Sequence, residues 1–169
     1  MMADETIREI EDATRRVQGV LPGYPGLARP EDRRVADEAL RRRVAALLED
    51  LLQHLESVEV RLARQGLGAA VGRAGRVRMA AESLVDKTQL AAYAFSPFFS
   101  SDRIPEERLV EALNADAAIA DALEPLSRML GATLDSVDDL GALLDDVEAL
   151  LARLDEHIEV RINTIVTMH

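Results

Sequence analysis

Apolar residues recur along most of this chain at spacings of three and four, which is the period of an α-helix with one buried face. Two long stripes of this kind predict helices over residues 31–65 and 135–167, and a helix of that size extends for about 45 Å. No Gly or Pro falls within residues 31–65. The stripes consist of Leu40, Val44, Leu47, Leu51, Leu55, Val58 and Leu62, and of Leu140, Leu144, Val147, Leu151, Leu154, Ile158, Ile162 and Ile165.

Shorter stripes, together with the positions of Gly and Pro, divide the rest of the chain. The second of three shorter helices is led by glycines and becomes regular from Val77, and the third is bent or broken at Pro125. Gly131 is expected to end that third helix, and Asp135 or Ser136 to cap the last long one. The shorter predicted elements are helices over 1–21, 66–95 and 106–131, and loops over 22–30 and 96–105.

A pentapeptide of the first long helix is echoed in the second. VEVRL at 58–62 returns as IEVRI at 158–162, either by duplication or because both segments share one helical period. Each alternates apolar and charged residues as a strand does, but the helical stripe passes through both, so we predict helix and keep a pair of strands as the alternative. In the helical interpretation Arg61 and Arg161 flank the stripe, with their stems on apolar surface and their guanidinium groups in solvent.

These elements predict one all-α domain over residues 1–169. We expect an elongated four- or five-helix bundle with two long, heptad-patterned, coiled-coil-like helices. Val60 and Val160 lie off the main stripes and give each long helix a second apolar edge. Other helices of the same bundle, a second subunit or a protein partner would have to cover that edge.

Composition narrows the cellular setting and the chemistry. The 169 residues include no Cys and no Trp, which excludes disulfides and thiolate metal sites. The N-terminal segment is acidic and has no apolar block, so we expect a cytoplasmic protein without a cleaved signal peptide. The longest charge-free run, over 88–101, is shorter than the roughly 20 apolar residues of a membrane span. It can contact a membrane surface but not cross the bilayer.

Charge is distributed unevenly along the chain. The net charge is −11, and residues 102–169 hold 16 acids against 5 bases, whereas residues 1–101 hold 15 of each. Such a surface repels phosphate backbones, so a nucleic-acid partner is not expected. The weakest of the function hypotheses, nucleic-acid binding, rests on five arginines between Arg61 and Arg78, with which no aromatic residue interleaves.

Two pairs of glutamates are the candidates for a metal site. Each pair has a spacing of three on one long helix, which places both carboxylates on one helix face near a histidine. They fall on the outer side of the predicted stripes, however, so we interpret them as a solvated face and predict neither a metal nor a cofactor. The candidate ligands are Glu56, Glu59, Glu156, Glu159, His54 and His157.

Aromatic residues cluster around Pro97. Tyr93, Phe95, Phe98 and Phe99 are four of the five in the chain. They fill one end of the core or form a docking patch, and a second proline-rich loop would add its own tyrosine if both loops lay at the same end.

No catalytic constellation can be named from these motifs. The leading hypothesis is a non-enzymatic scaffold or adaptor that acts through helix–helix self-association or partner docking, with Tyr93, Phe95, Phe98, Phe99, Val60 and Val160 as partner-binding residues. The alternative is a helical-bundle protein, with or without enzymatic activity, that binds a metal or a small apolar ligand.

Overall fold

Five α-helices and one short 3₁₀ helix account for most of the chain in the computed structural model, which describes residues 4–90, 93–131 and 139–168. No β-strand occurs in these ranges, so the prediction of an all-α helical bundle is confirmed. The α-helices span Asp4–Val20 (α1), Pro30–Arg64 (α2), Gly68–Gln89 (α3), Glu106–Gly131 (α4) and Leu140–Val166 (α5), and the 3₁₀ helix spans Pro97–Phe99.

Helices α2 to α5 form a four-helix bundle in which α2 and α5 occupy diagonally opposite corners. Helix α2 packs against α3 and α4, and α5 packs against the same two helices. Helix α1 lies outside this bundle and packs against α4. The two predicted long helices are therefore not neighbours, because α3 and α4 separate them.

Ion pairs between helices fix their directions. Arg73, near the start of α3, contacts Glu148, near the start of α5, at 2.7 Å, and Lys87, near the end of α3, contacts Asp155 at 2.5 Å. Helices α3 and α5 therefore run parallel, and the three-residue connection between α2 and α3 makes α2 antiparallel to both. We call the end where α2 begins and α5 ends the basal end, and the other the distal end.

The buried apolar residues form two clusters. The larger one fills the bundle from its middle to the distal end, and the smaller one, at the basal end, includes α1 and residues of both proline-rich loops. Both predicted stripes are buried inside this single chain, apart from Ile162, which is partly buried. The apolar seams of the two long helices thus close within one chain.

Local chemistry accounts for the helix ends. Gly66 has a φ of +73°, a left-handed conformation that favours glycine, and the amide of Leu67 donates to the carbonyl of Leu62, so the chain turns sharply out of α2. Asp139 caps α5 by accepting a hydrogen bond from the amide of Ala142 at 2.9 Å. The predicted caps Asp135 and Ser136 lie outside the described residues.

The predicted extension of α3 to Phe95 is wrong, since this helix ends at Gln89. Leu90 is exposed, and the chain leaves the helix so that Tyr93 turns into the basal cluster. In contrast, α4 is continuous through Pro125. Both echoed pentapeptides lie within α-helices, so the strand alternative for them is wrong as well.

Burial of the α2 stripe predicts a contrast between two positions five residues apart. We expect Leu55→Ala to lower the free energy of unfolding by about 2–5 kcal/mol, because Leu55 is 1% exposed and its removal leaves a cavity in the bundle core. Val60→Ala, at a position 50% exposed, should cost less than about 1 kcal/mol. Urea unfolding followed by circular dichroism measures both, and equal losses would contradict the assigned helix face.

Candidate functional site

A buried arginine links the two apolar clusters. Arg161, near the end of α5, is 3% exposed, and its Nε donates a hydrogen bond to Asp116 of α4. Its Nη1 donates to Asp37 Oδ1 at 2.8 Å and to the Tyr93 hydroxyl at 2.7 Å. The guanidinium group therefore joins α5 to α4, to α2 and to the turn after α3.

Two tyrosines complete this cluster, which we call the Arg161 network. Tyr24 donates its hydroxyl hydrogen to Asp116 Oδ2, and Tyr93 donates to Asp37 Oδ1 at 2.9 Å. All five side chains are buried. Because Tyr24 belongs to the loop before α2, the network also fixes that loop against α4.

The surroundings of the ionisable groups in the network favour the protonation states that these groups have at neutral pH. Burial by itself would lower the pKa of Arg161, but the charges of Asp116 and Asp37 raise it well above its usual value. Burial raises the pKa of Asp37, yet the charge of Arg161 and hydrogen bonds from Arg161 and Arg41 outweigh burial and lower it. Burial raises the pKa of Tyr93 to about 12 and that of Tyr24 well above its usual value. Both tyrosines therefore remain protonated at neutral pH, which suits a structural role better than proton transfer.

The burial of Arg161 contradicts the prediction for this residue, and the network around it was not predicted from the sequence. Sequence reasoning placed both echoed arginines at the edge of the stripe, and this is wrong for Arg161, whose guanidinium group lies inside the protein. Arg61 is only partly buried. A usable signal was present at Asp37, which lies three residues before Leu40 on the α2 stripe, because an acid at a core position needs a buried cation.

A second buried arginine brings the two proline-rich loops together. Arg33 donates to the carbonyl of Leu27 at 2.9 Å in the first loop, and to the carbonyls of Phe98 and Ser101 at 2.9 and 2.8 Å in the second. Burial lowers its pKa. Both loops therefore lie at the basal end, the condition under which Tyr24 was expected to join the aromatic cluster.

Three of the four clustered aromatic residues are core residues. Tyr93, Phe98 and Phe99 are buried, with Phe98 and Phe99 in edge-to-face contact at 5.1 Å. The guanidinium of Arg34 covers the Phe99 ring at 4.9 Å. Of the four, only Phe95 is exposed, at 99%, so an exposed docking patch formed by all four is wrong.

A cleft lies beside these residues at the basal end. This basal cleft has a volume of about 360 Å³ and lies between the 96–105 connection, the start of α4 and the end of α5. Its apolar wall includes Phe98, Ile104 and Met168, and its polar wall includes Arg103 and Arg108. Arg108 is engaged with Glu111 and Thr167, the latter also lining the cleft.

The two predicted apolar edges do not form one surface. Val60 and Val160 are 50% and 51% exposed, so no helix of the bundle covers either edge fully. They lie on diagonally opposite helices, one near the distal end and the other near the basal end. The two valines therefore contribute to different surfaces, and single exposed apolar residues are common on proteins.

The candidate metal ligands are also separated, since α2 carries one glutamate pair near the distal end and α5 carries the other near the basal end. Glu59 accepts from Arg78 at 2.9 Å, and Glu159 pairs with Lys87 at 2.5 Å. His54 donates from Nδ1 to its own helix, at the carbonyl of Asp50. Within residues 4–90, 93–131 and 139–168, no three His, Asp or Glu side chains lie close enough to hold a metal ion. Glu56, Glu156 and His157 join no such group either.

The arginines considered for nucleic-acid binding are partly engaged in ion pairs. Arg73 contacts Asp145 and Glu148 across the bundle, and Arg78 contacts Glu59 and Glu82. These pairs connect α3 to α5 and to α2. They reduce the cationic surface that a phosphate backbone would meet.

Comparisons with known proteins add no relative. The chain matches no protein-family model, no curated protein and no solved structure. Among the described helices, none is both long enough and apolar enough to cross a lipid bilayer. Function must therefore be argued from the residues themselves.

The Arg161 network predicts that replacing Arg161 destabilises the protein more than the same replacement at Arg61. Arg161→Met should lower the free energy of unfolding by about 3–5 kcal/mol, because two buried aspartates lose their cation. Arg61→Met should cost less than about 1 kcal/mol, since Arg61 is partly exposed. Chemical denaturation measures both variants, and a harmless Arg161→Met would show that the network contributes nothing net.

The network also predicts an unusual alkaline titration. The chain contains two tyrosines, and both have raised pKa values, so the native protein should show no tyrosinate absorbance step near the usual pH of about 10. A raised folded pKa stabilises the protein below the unfolded pKa, and this stability is lost as the pH rises from about 10 towards 12. Tyrosinate absorbance and thermal unfolding over this range test both statements. Unfolded protein in denaturant is the control and should titrate normally.

Proposed function

We propose that the protein is a cytoplasmic, non-enzymatic adaptor that docks another protein through its basal end. The observation that carries this proposal is Phe95, whose side chain is 99% exposed. Burying a phenylalanine side chain is favourable by about 1.5–3 kcal/mol, and aromatic anchors dominate the energy of many interfaces. A partner that covered Phe95 would recover that free energy.

Phe95 is held by fixed neighbours on both sides. Tyr93 is part of the buried Arg161 network, and Ser96 donates from Oγ to the carbonyl of Ile165 at 2.8 Å. The same Ser96 Oγ accepts from the amide of Phe98, at the start of the 3₁₀ helix. The backbone around Phe95 is thus tied to the bundle, which lowers the entropy cost of presenting the ring to a partner.

Further apolar surface adjoins Phe95. The Ser96 bond to Ile165 joins the segment that follows Phe95 to the end of α5, where Val166 is also exposed. From there Pro97 and Met168 lead into the basal cleft. An aromatic anchor next to a partly apolar cleft is suited to a peptide or helix with apolar side chains.

Closure of the seams inside one chain favours partner docking over self-association. The stripes of α2 and α5 are already covered by α3 and α4, so they offer no free coiled-coil face. The single exposed valines, Val60 and Val160, present little apolar area for a stable dimer, which needs about 800 Å² on each subunit. Partner docking at the basal end therefore agrees with the buried seams better than self-association does.

A small apolar ligand is the second candidate. The basal cleft, at about 360 Å³, falls within the usual range of ligand pockets, about 300–1,000 Å³. A ligand bound in this cleft would contact Phe98, Ile104 and Met168 and would not require Phe95. Native mass spectrometry of protein purified under mild conditions distinguishes the two, because a retained small molecule gives a discrete mass shift.

The docking proposal predicts a position-specific crosslink. A photoreactive phenylalanine analogue at position 95 should form a discrete adduct with one protein in living cells, and Phe95→Ser should weaken binding of that purified protein by about tenfold or more. Met79, which is exposed on α3 far from the basal cleft, is the matched control position for both the analogue and a Ser substitution.

Circular dichroism should show unchanged helicity in every variant. Adducts at position 79 equal to those at position 95, or an undiminished affinity of the Phe95→Ser variant, would refute docking through Phe95. A lipid adduct in place of a protein adduct would refute it too, and would instead support membrane contact through the 88–101 segment.

A further inference from the structure

Arg161 has more donors than the protein satisfies. A guanidinium group carries five N–H groups. Three are used, because Nε donates to Asp116 and Nη1 donates to Asp37 and to Tyr93. The remaining two belong to Nη2, which is buried and has no hydrogen-bond partner among the residues that the structure describes. A buried charged donor without an acceptor is unfavourable, so Nη2 requires one.

A small cavity adjoins this group. It has a volume of about 20 Å³ and is walled by Arg161, Thr88 and Tyr93 together with apolar side chains that include Ile119 and Ile158. About 10–15 Å³ is enough for one water molecule. Arg161 lines this cavity, and Nη2 is its one nitrogen whose donors are not used within the described part of the chain, so we assign the cavity to Nη2.

The cavity also offers acceptors for a bound molecule. Thr88 Oγ1 donates to the carbonyl of Leu84 at 2.7 Å, and its own lone pairs are left to accept. The Tyr93 hydroxyl donates to Asp37 and accepts from Arg161, which leaves it one further lone pair. A molecule that fits must therefore both accept from Nη2 and donate to a hydroxyl oxygen, and water does both.

The charges around the cavity argue against an anion. Arg161 is balanced by Asp116 and Asp37, and Asp37 also pairs with Arg41 at 2.9 Å, which gives two cations and two anions. Lys87 lines the cavity as well, but it is paired with Asp155 and Glu159. A halide would add a negative charge that nothing nearby compensates, whereas a neutral molecule keeps the balance.

We infer that this cavity is a binding site for a single water molecule, held by Arg161 Nη2 and by Thr88 Oγ1. The water belongs to the Arg161 network and extends it to α3, from which no side chain otherwise forms a hydrogen bond with Arg161 in the described part of the chain.

A structure determined from crystals grown in sodium bromide tests the site directly. We expect one full-occupancy peak within about 3.2 Å of both Arg161 Nη2 and Thr88 Oγ1, without anomalous signal at the bromine edge. An anomalous peak at this position would overturn the assignment in favour of a halide site. A cavity without density would also overturn it.

Matched threonine variants test the role of Thr88. Thr88→Val keeps the shape and removes the hydroxyl, so the peak should be lost or clearly reduced in occupancy, and Thr88→Ser should retain it. Thr164 is the control, because its Oγ1 makes the same bond one helical turn back, to Val160, on the surface of α5. A water peak at full occupancy in Thr88→Val would show that Thr88 does not hold the water.

Solution NMR provides a second readout that needs no crystal. A long-lived buried water should give cross-peaks to the Arg161 guanidinium protons in the wild type and in Thr164→Val, and these should disappear in Thr88→Val. Their absence from the wild type would contradict the inference.

Discussion

The structure depends on keeping one positive charge out of water. Removing a guanidinium group from solvent costs several kcal/mol unless carboxylates and hydroxyl groups replace the lost hydration. Arg161 meets this requirement with Asp116 and Asp37, each from a different helix, and with the hydroxyl of Tyr93. Because these partners have few alternatives, the positions of α2, α4 and α5 at the basal end are mutually constrained.

The basal loops owe their shape to this constraint and to Arg33. The 96–105 loop contains a 3₁₀ helix with its own backbone hydrogen bonds, and Arg33 adds hydrogen bonds to carbonyls in both loops. Tyr24 attaches the first loop to the buried network, and Tyr93 attaches the turn that precedes the second. The loops are therefore fixed by side chains from the helices, and the residue they leave outside, Phe95, is exposed by a well-supported backbone rather than by lack of structure.

Much of the fold was predictable from the sequence because helical period is a local property. The stripes of α2 and α5 gave helices close to their observed bounds and identified the residues that are buried. The end of α3 was not predictable in this way, since Tyr93 leaves the helix to reach a residue 56 positions earlier, Asp37. Long-range pairing of this kind has no local signature.

The candidate site was predicted less well, for a related reason. Arg61 and Arg161 occupy equivalent places in the echoed pentapeptides, and the pattern assigned both to the surface. What separates them is burial, because α2 and α4 present Asp37 and Asp116 to Arg161 inside the protein, whereas Arg61 is only partly buried. Similarly, the aromatic cluster was visible in the sequence. That Phe95 is its one exposed member follows from the path of the backbone between Tyr93 and Ser96.

The separation of Asp37 and Arg161 along the chain has a consequence for folding. These residues are 124 positions apart, so their ion pair closes only after α5 has been synthesised and brought to α2. The hairpin of α2 and α3 needs only local contacts and can form early, whereas contacts of large sequence separation form slowly. Until α5 docks, Asp37 and Asp116 lack their common cation, and the basal end lacks the group that organises it. Completion of the basal end is thus coupled to the docking of α5.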